Sequence, residues 1–177
     1  LGLIGFTLAL AAGSAAAQLK GGRDYKPLAN PQAVESGEKI QVLEFFWYGC
    51  SHCYDLEPIL NKWTARLPKD VEFRRVPAIP TERWAPNART FYTLESLGLL
   101  EKLHGAVFDA IHLDRVNFND ERSQLDWMAK KGVDPAKFSE AWKSFSVQSK
   151  TRRAVQQTQA NDISGVPTLV VDGKYQT

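Results

Sequence analysis

The chain has only two cysteines in 177 residues, Cys50 and Cys53, and so little excess charge, a formal +2, that no electrostatic footprint for nucleic acid stands out. Lys and Arg are scattered among Asp and Glu. The densest basic cluster, Lys150-Thr151-Arg152-Arg153, reads as the solvated face of a helix, because such a run needs a groove before it can bind phosphate. Repeats, low-complexity tracts and linkers that would divide two independent folds are absent. No apolar run reaches the ~20 residues of a membrane-spanning helix. What is present is an ordinary globular composition, 44% hydrophobic and 24% charged, which argues against disorder and supplies one sizeable core.

Leu1 to Ala12 is almost wholly apolar and runs into Gly13-Ser14-Ala15-Ala16-Ala17-Gln18, an Ala-x-Ala cleavage pattern. This predicts part of a secretory signal peptide over residues 1–17, lacking an initiator Met and a basic leader, with the mature protein starting near Gln18. The alternative is an uncleaved tail acting as a tether. Export bears on the cysteines, since an oxidising compartment lets a disulfide persist that the cytosol would keep reduced.

The fold is predicted to be α/β. Tyr25 to Leu28 reads as a short edge strand. Ile40 to Trp47 is rich in β-formers and nearly continuously apolar, as a strand buried on both faces reads. Gly49 interrupts it, and from Cys50 the spacing of Leu56, Ile59, Leu60, Trp63 and Leu67 is helical, with Pro58 expected to kink the helix. Val71 to Val76 alternates as a strand. Helices follow over roughly Asn87–Leu97, Leu99–Leu113, Asp120–Lys131, Asp134–Ser144 and Ser146–Ala160. Gly98 and Gly132 act as stops, and Asp134-Pro135 as N-cap and first helical residue. Val166 to Val171 reads as a strand entering a hairpin turn at Asp172-Gly173. No second strand of that hairpin is evident, so an edge strand and a closing helix are expected beyond Thr177.

Several readings compete for the cysteine pair. A structural disulfide closing so small a loop would contribute roughly 2 kcal/mol before strain, little for a sole cross-link. A zinc site would need Cys50, His52 and Cys53 to recruit His104 or His112 from a distant helix; both are otherwise ordinary helix residues. Haem attachment needs His directly after the second Cys, where Tyr54 stands. The redox reading accounts for position as well as spacing. Unpaired N–H groups and the positive dipole end at a helix N-terminus favour an anion, so Cys50 is expected to be the attacking thiolate. Cys53, one turn further in, is placed to resolve the mixed disulfide. His52, protonated or hydrogen-bonding, adds to the stabilisation of the Cys50 thiolate. Whatever stabilises that thiolate biases the site towards giving its disulfide away.

Gln41-Val42-Leu43-Glu44-Phe45-Phe46, the Cys-x-His-Cys centre, Tyr54 and Gly165-Val166-Pro167-Thr168 together resemble the DsbA family of periplasmic disulfide-forming proteins, over essentially the whole mature chain. The resemblance implies a thioredoxin fold with an inserted helical domain. Residues 18–79 would form its first part, 80–144 the helical insertion and 145–177 the second part. It implies that Cys50 is the exposed nucleophile, Cys53 its buried partner and His52 the tuning residue. Val166-Pro167 resembles the cis-proline loop that faces the disulfide, where backbone groups pair with an extended substrate strand. Ser51-His52 stands where Pro-His is familiar, so the potential is expected to differ.

Glu44 is a carboxylate in an apolar strand. It costs several kcal/mol there if charged, unless it reaches water at a strand end. By likeness to thioredoxin-like proteins it would serve Cys53. Trp47 and Tyr48 are candidates for an apolar platform under unfolded substrate, or for core. The expected activity is protein disulfide oxidation, with a periplasmic reductase or isomerase, or a peptide- or metal-binding module, as alternatives. The absence of a dimerisation segment argues for a monomer and against an isomerase. The redox-active disulfide stands in place of any cofactor. Partners implied are exported polypeptides with free thiols and a membrane quinone-linked oxidase of the DsbB type.

Overall fold

The computed structural model describes residues 18–177; the signal-peptide reading of residues 1–17 lies outside them. The element order is β1 (Lys26–Pro27), β2 (Ile40–Phe46), α1 (Ser51–Thr64), β3 (Val71–Pro77), a 3-10 turn (Glu82–Trp84), α2 (Ala85–Ser96), α3 (Leu100–His112), α4 (Glu121–Lys130), α5 (Pro135–Lys143), α6 (Phe145–Ala160), β4 (Thr168–Val171) and β5 (Tyr175–Gln176). The strands form one sheet in the order β1-β5-β4-β2-β3, in which only β2 and β3 run parallel. A right-handed crossover through α1 is the connection such a parallel pair requires.

β2 is an interior strand, between β4 and β3, and is buried from Gln41 to Phe46, as its apolar run predicts. Its register puts Glu44 beside Arg75 of β3 and Leu169 of β4. Side chains of directly paired residues share a sheet face, so Glu44 and Arg75 meet on the α1 side. Phe46 anchors the sheet to the inserted helices: its ring lies 5.1–5.9 Å from those of Tyr48, Phe91, His104 and Phe108. Burying one such side chain is worth roughly 1.5–3 kcal/mol.

The helix ends follow the sequence signals. Gly98 and Gly132 take positive φ just beyond α2 and α4, and the Asp134 carboxylate accepts the N–H groups of Ala136 and Lys137. Ser144 caps α6 through the N–H of Val147, so that helix starts one residue earlier than expected. α1 continues through Pro58.

Two expectations are corrected. The Asp172-Gly173 hairpin does have a second strand: Tyr175 pairs with Val171, and Gln176 with both Val170 and Lys26. Two residues are too few for any alternation to show in sequence, and their strand character comes from the neighbours on either side. Gly173 is fixed there by close approach, since a β-carbon would lie 2.1 Å from the Gln32 carbonyl oxygen. The buried stripe of α1 is also not the apolar one. Cys53, Glu57 and Leu60 face inward, while Ile59 is 63% exposed and Trp63 36%. A carboxylate can occupy that stripe because it finds donors inside, as described next.

Candidate active site

Cys50 is the N-cap of α1, with extended backbone (φ −91°, ψ 118°), and its carbonyl accepts the helix's first N–H bond from Tyr54 at 3.1 Å. The sulfur therefore stands at the open end of the helix, where unpaired N–H groups gather. Its thiol donates to the carbonyl of Val166, 3.4 Å away, and the Val166–Pro167 peptide is cis. Thr168 closes that loop with a hydroxyl bond to the Gly165 carbonyl. The loop preceding β4 is thus held against the start of α1, joining residues 116 positions apart. Cys53, in the first turn of α1, is fully buried. Burial pushes its thiol well above the ordinary cysteine range, against a backbone hydrogen bond at Trp47. Both cysteines are free thiols, Cys50 half-buried and Cys53 closed off, so an incoming sulfur meets Cys50 first.

Trp47 folds back across Gly49 and stacks on Trp84, ring centroids 4.3 Å apart and 13° from parallel. It is half-buried and borders the cysteines. Tyr48 is not available as a platform: it is 1% exposed, turned into the ring cluster around Phe46, and belongs to the core. His52 is exposed on the second residue of α1, and no side-chain hydrogen bond ties it to Cys50.

Behind Cys53 lies a buried chain of polar groups. Glu44 is wholly buried, and neither carboxylate oxygen has a hydrogen-bond partner. Arg75 Nε is 3.2 Å from Glu44 Oε2, an ion-pair contact, while Nε and Nη2 donate to the two oxygens of Glu57 at 3.2 and 3.1 Å, and Nη2 also to Asn61 at 3.0 Å. Burial pushes the Glu44 carboxyl up to about 8, the Arg75 charge opposing and the Glu57 charge adding. Glu57 is also pushed up by burial, but the hydrogen bond of His104 and the charge and hydrogen bonds of Arg75 hold it below the usual range. The His104 ring, 3.2 Å from Glu57 through Nε2 and 2.7 Å from the Tyr48 hydroxyl through Nδ1, is driven towards its neutral form by desolvation.

Sequence reasoning missed three of these residues. Glu57 lies four positions after Cys53, a spacing that marks it as facing the same way, but a Glu in an amphipathic helix reads as solvated. Arg75 becomes visible only with the β2–β3 register. His104, which reads in sequence as an ordinary helix residue, sits inside the polar chain, and His112 is drawn to the Tyr48 carbonyl at 2.8 Å. Both histidines are thereby engaged away from the cysteines, and among the described residues no three His, Cys, Asp or Glu side chains group as metal ligands would. The basic run on α6 is largely paired: Lys150 with Glu95 and Arg153 with Glu35, while Arg152 lies over Phe145. Among the described residues no helix is long and apolar enough to cross a membrane.

The model of the DSBA-like thioredoxin domain matches residues 71–177. The thiol:disulfide interchange protein DsbA of Azotobacter vinelandii is 43% identical over 159 residues, covering 90% of this chain and 74% of that protein. Its namesake from Pseudomonas aeruginosa is 41% identical over 154 residues, 87% of this chain and 73% of its own length. A crystal structure of Pseudomonas aeruginosa DsbA superposes with a TM-score of 0.84 at 40% identity, over 89% of this chain and 82% of that one. The fold is therefore the thioredoxin fold with an inserted run of helices, and the chain belongs to the DsbA family.

Proposed function

We propose that this chain, a thiol:disulfide oxidoreductase by family, works as a dithiol oxidase on newly exported polypeptides in the periplasm, donating the Cys50–Cys53 disulfide. The observation that carries this reading is the difference in access between the two sulfurs: Cys50 at the mouth of α1 beside the Val166 carbonyl, Cys53 fully buried behind it.

In the first step a substrate thiolate attacks Cys50, a substrate–Cys50 disulfide forms, the Cys50–Cys53 bond breaks, and its electron pair leaves on Cys53. A buried thiolate in apolar surroundings is unstable, which the raised position of the Cys53 thiol expresses. Glu44, buried in the neighbouring strand, holds a proton at neutral pH, and it serves as the acid that neutralises the leaving sulfur and becomes a carboxylate. In the second step another substrate thiolate attacks the substrate sulfur of the mixed disulfide, and Cys50 departs as a thiolate at the helix N-terminus. The substrate has lost two electrons and two protons, and the cysteine pair has gained the electrons. No further cofactor enters the exchange. His52 tunes the Cys50 thiolate, Val166 and Pro167 present backbone to an extended substrate segment, and Trp47 borders its path. Recycling passes the electrons to a quinone-linked membrane partner of the DsbB type, and residues 80–144 form the inserted helical unit.

The test is equilibration of the pair against glutathione buffers, read by the mass shift after alkylation. A pair that stays reduced until the buffer is strongly oxidising supports the oxidase. A pair that remains oxidised in reducing buffer defeats it and leaves a reductase or a structural disulfide.

A further inference from the structure

Two carboxylates, Glu44 and Glu57, share one guanidinium, and their hydrogen-bond partners are divided unequally. Glu57 receives the paired bonds from Arg75 Nε and Nη2, a weaker contact from Asn61 at 3.4 Å, and the His104 ring at 3.2 Å. Glu44 has only the 3.2 Å ion-pair contact with Arg75 Nε and no well-directed hydrogen bond. With one cation available, the pair keeps one negative charge and one proton, and the charge settles where the donors are. The last donor comes from outside the sheet and α1: His104 reaches in from α3 of the inserted helices. The Glu57 carboxylate, which can only accept, selects the tautomer with Nε2–H, and Nδ1 is then left to accept from the Tyr48 hydroxyl, whose buried phenol keeps its proton. The opposite tautomer would set a nitrogen lone pair against the carboxylate.

We infer that His104 and Tyr48 are positioning residues for disulfide exchange, holding Glu57 as the charged member of the pair so that the proton stays on Glu44 on the Cys53 side. The inference rests on Glu44 acting as the acid for Cys53. The groups that face this cluster are few: Glu44 and Tyr48 from β2 and the turn after it, Arg75 from β3, Glu57, Cys53 and, beyond it, Cys50 from the start of α1, and Glu101 behind His104 on α3. Arg75 and Asn61 line one surface cleft beside α1, and Glu57 and Asn61 another. Removing the His104 donor weakens the hold of Glu57 on the charge. Arg75, already 3.2 Å from Glu44, can then turn to it, and the proton passes to Glu57. Cys53 would then leave without its acid.

Two readouts on the full chain test this. One is the pH at which the carboxylic-acid infrared band of Glu44, assigned by its loss in Glu44→Gln, disappears. The other is the alkaline limb of the rate at which the oxidised protein forms a mixed disulfide with glutathione, taken at constant thiolate concentration. In His104→Leu both midpoints are expected to fall together by roughly one pH unit, tenfold in the proton equilibrium, and by less in Tyr48→Phe. His104→Gln restores both, because its amide accepts from Tyr48 and donates to Glu57. An unmoved Glu44 band in His104→Leu overturns the inference and leaves His104 as packing between the helices and the sheet. A band that moves while the rate limb stays still defeats Glu44 as the acid for Cys53 and retains the positioning role. Should His104→Leu fail to fold, Tyr48→Phe removes a single oxygen and decides alone: an unmoved band there overturns the inference.

Discussion

The indole of Trp47 lies so close over Gly49 that a β-carbon at Gly49 would come within 2.4 Å of the ring. Any side chain at that position must displace the indole, and with it the stack on Trp84. Gly49→Ala is therefore expected to lower the unfolding free energy by about 1–3 kcal/mol, in the range of overpacked sites. Urea titration checks it, and an unchanged midpoint would show that the indole has room to move.

Thr158 on α6 joins that helix to the chain leaving β3: its hydroxyl accepts the Ile79 N–H at 3.0 Å and donates to the Ala154 carbonyl at 2.7 Å. Thr158→Val keeps the shape and leaves a buried N–H unpaired. The expected loss is about 1–3 kcal/mol, visible in the denaturant midpoint, and Thr158→Ser should recover most of it.

Stability should depend on pH through Glu44. Its folded value of about 8 lies above the ordinary carboxylate value of 4.5, so the folded state binds the proton more tightly than the unfolded one. That contribution is complete below pH ~4.5 and is lost as pH rises through ~8. His104 and Glu57, shifted downward, act in the opposite sense and weaken the fold on acidification. Glu44→Gln isolates the first effect. Relative to the parent, the variant should gain on the order of a few kcal/mol between pH 5 and 8, measured by thermal or urea unfolding across that range. Parallel profiles would mean that Glu44 ionises in the fold as it does in water.

Access to the sulfurs predicts different behaviour of the two serine variants. In glutathione disulfide, Cys53→Ser should retain one glutathione on Cys50, having no second thiol to expel it. Cys50→Ser should take up none, since Cys53 is fully buried. Intact mass decides, and glutathionylation of Cys53 in the folded variant would remove the case for Cys50 as the point of entry.

The strand-to-helix placement of the cysteines and the caps at Gly98, Gly132 and Asp134 were legible because each is a local signal: a run of β-formers, a periodicity, a residue type at a helix end. The buried charges were not. Glu44 announced itself by standing alone in an apolar strand, but the partners that make its burial tolerable come from β3, α1 and α3, and only the register of β2 on β3 places Arg75 beside it. Tyr48 could be read as platform or core until the inserted helices supplied the rings it packs on. The Tyr175-Gln176 strand owes its existence to β4 and β1 on its two sides, and carries no pattern of its own.

The Trp47–Trp84 stack joins the residue next to the active-site turn with the first turn of the inserted helices. Two indoles held face to face at 4.3 Å couple their electronic transitions, and that coupling fades steeply as the rings separate or rotate. The protein thus carries an intrinsic optical gauge across the seam between sheet and helices: circular dichroism of this pair reports, without any label, whether the two halves shift when the disulfide is made or spent.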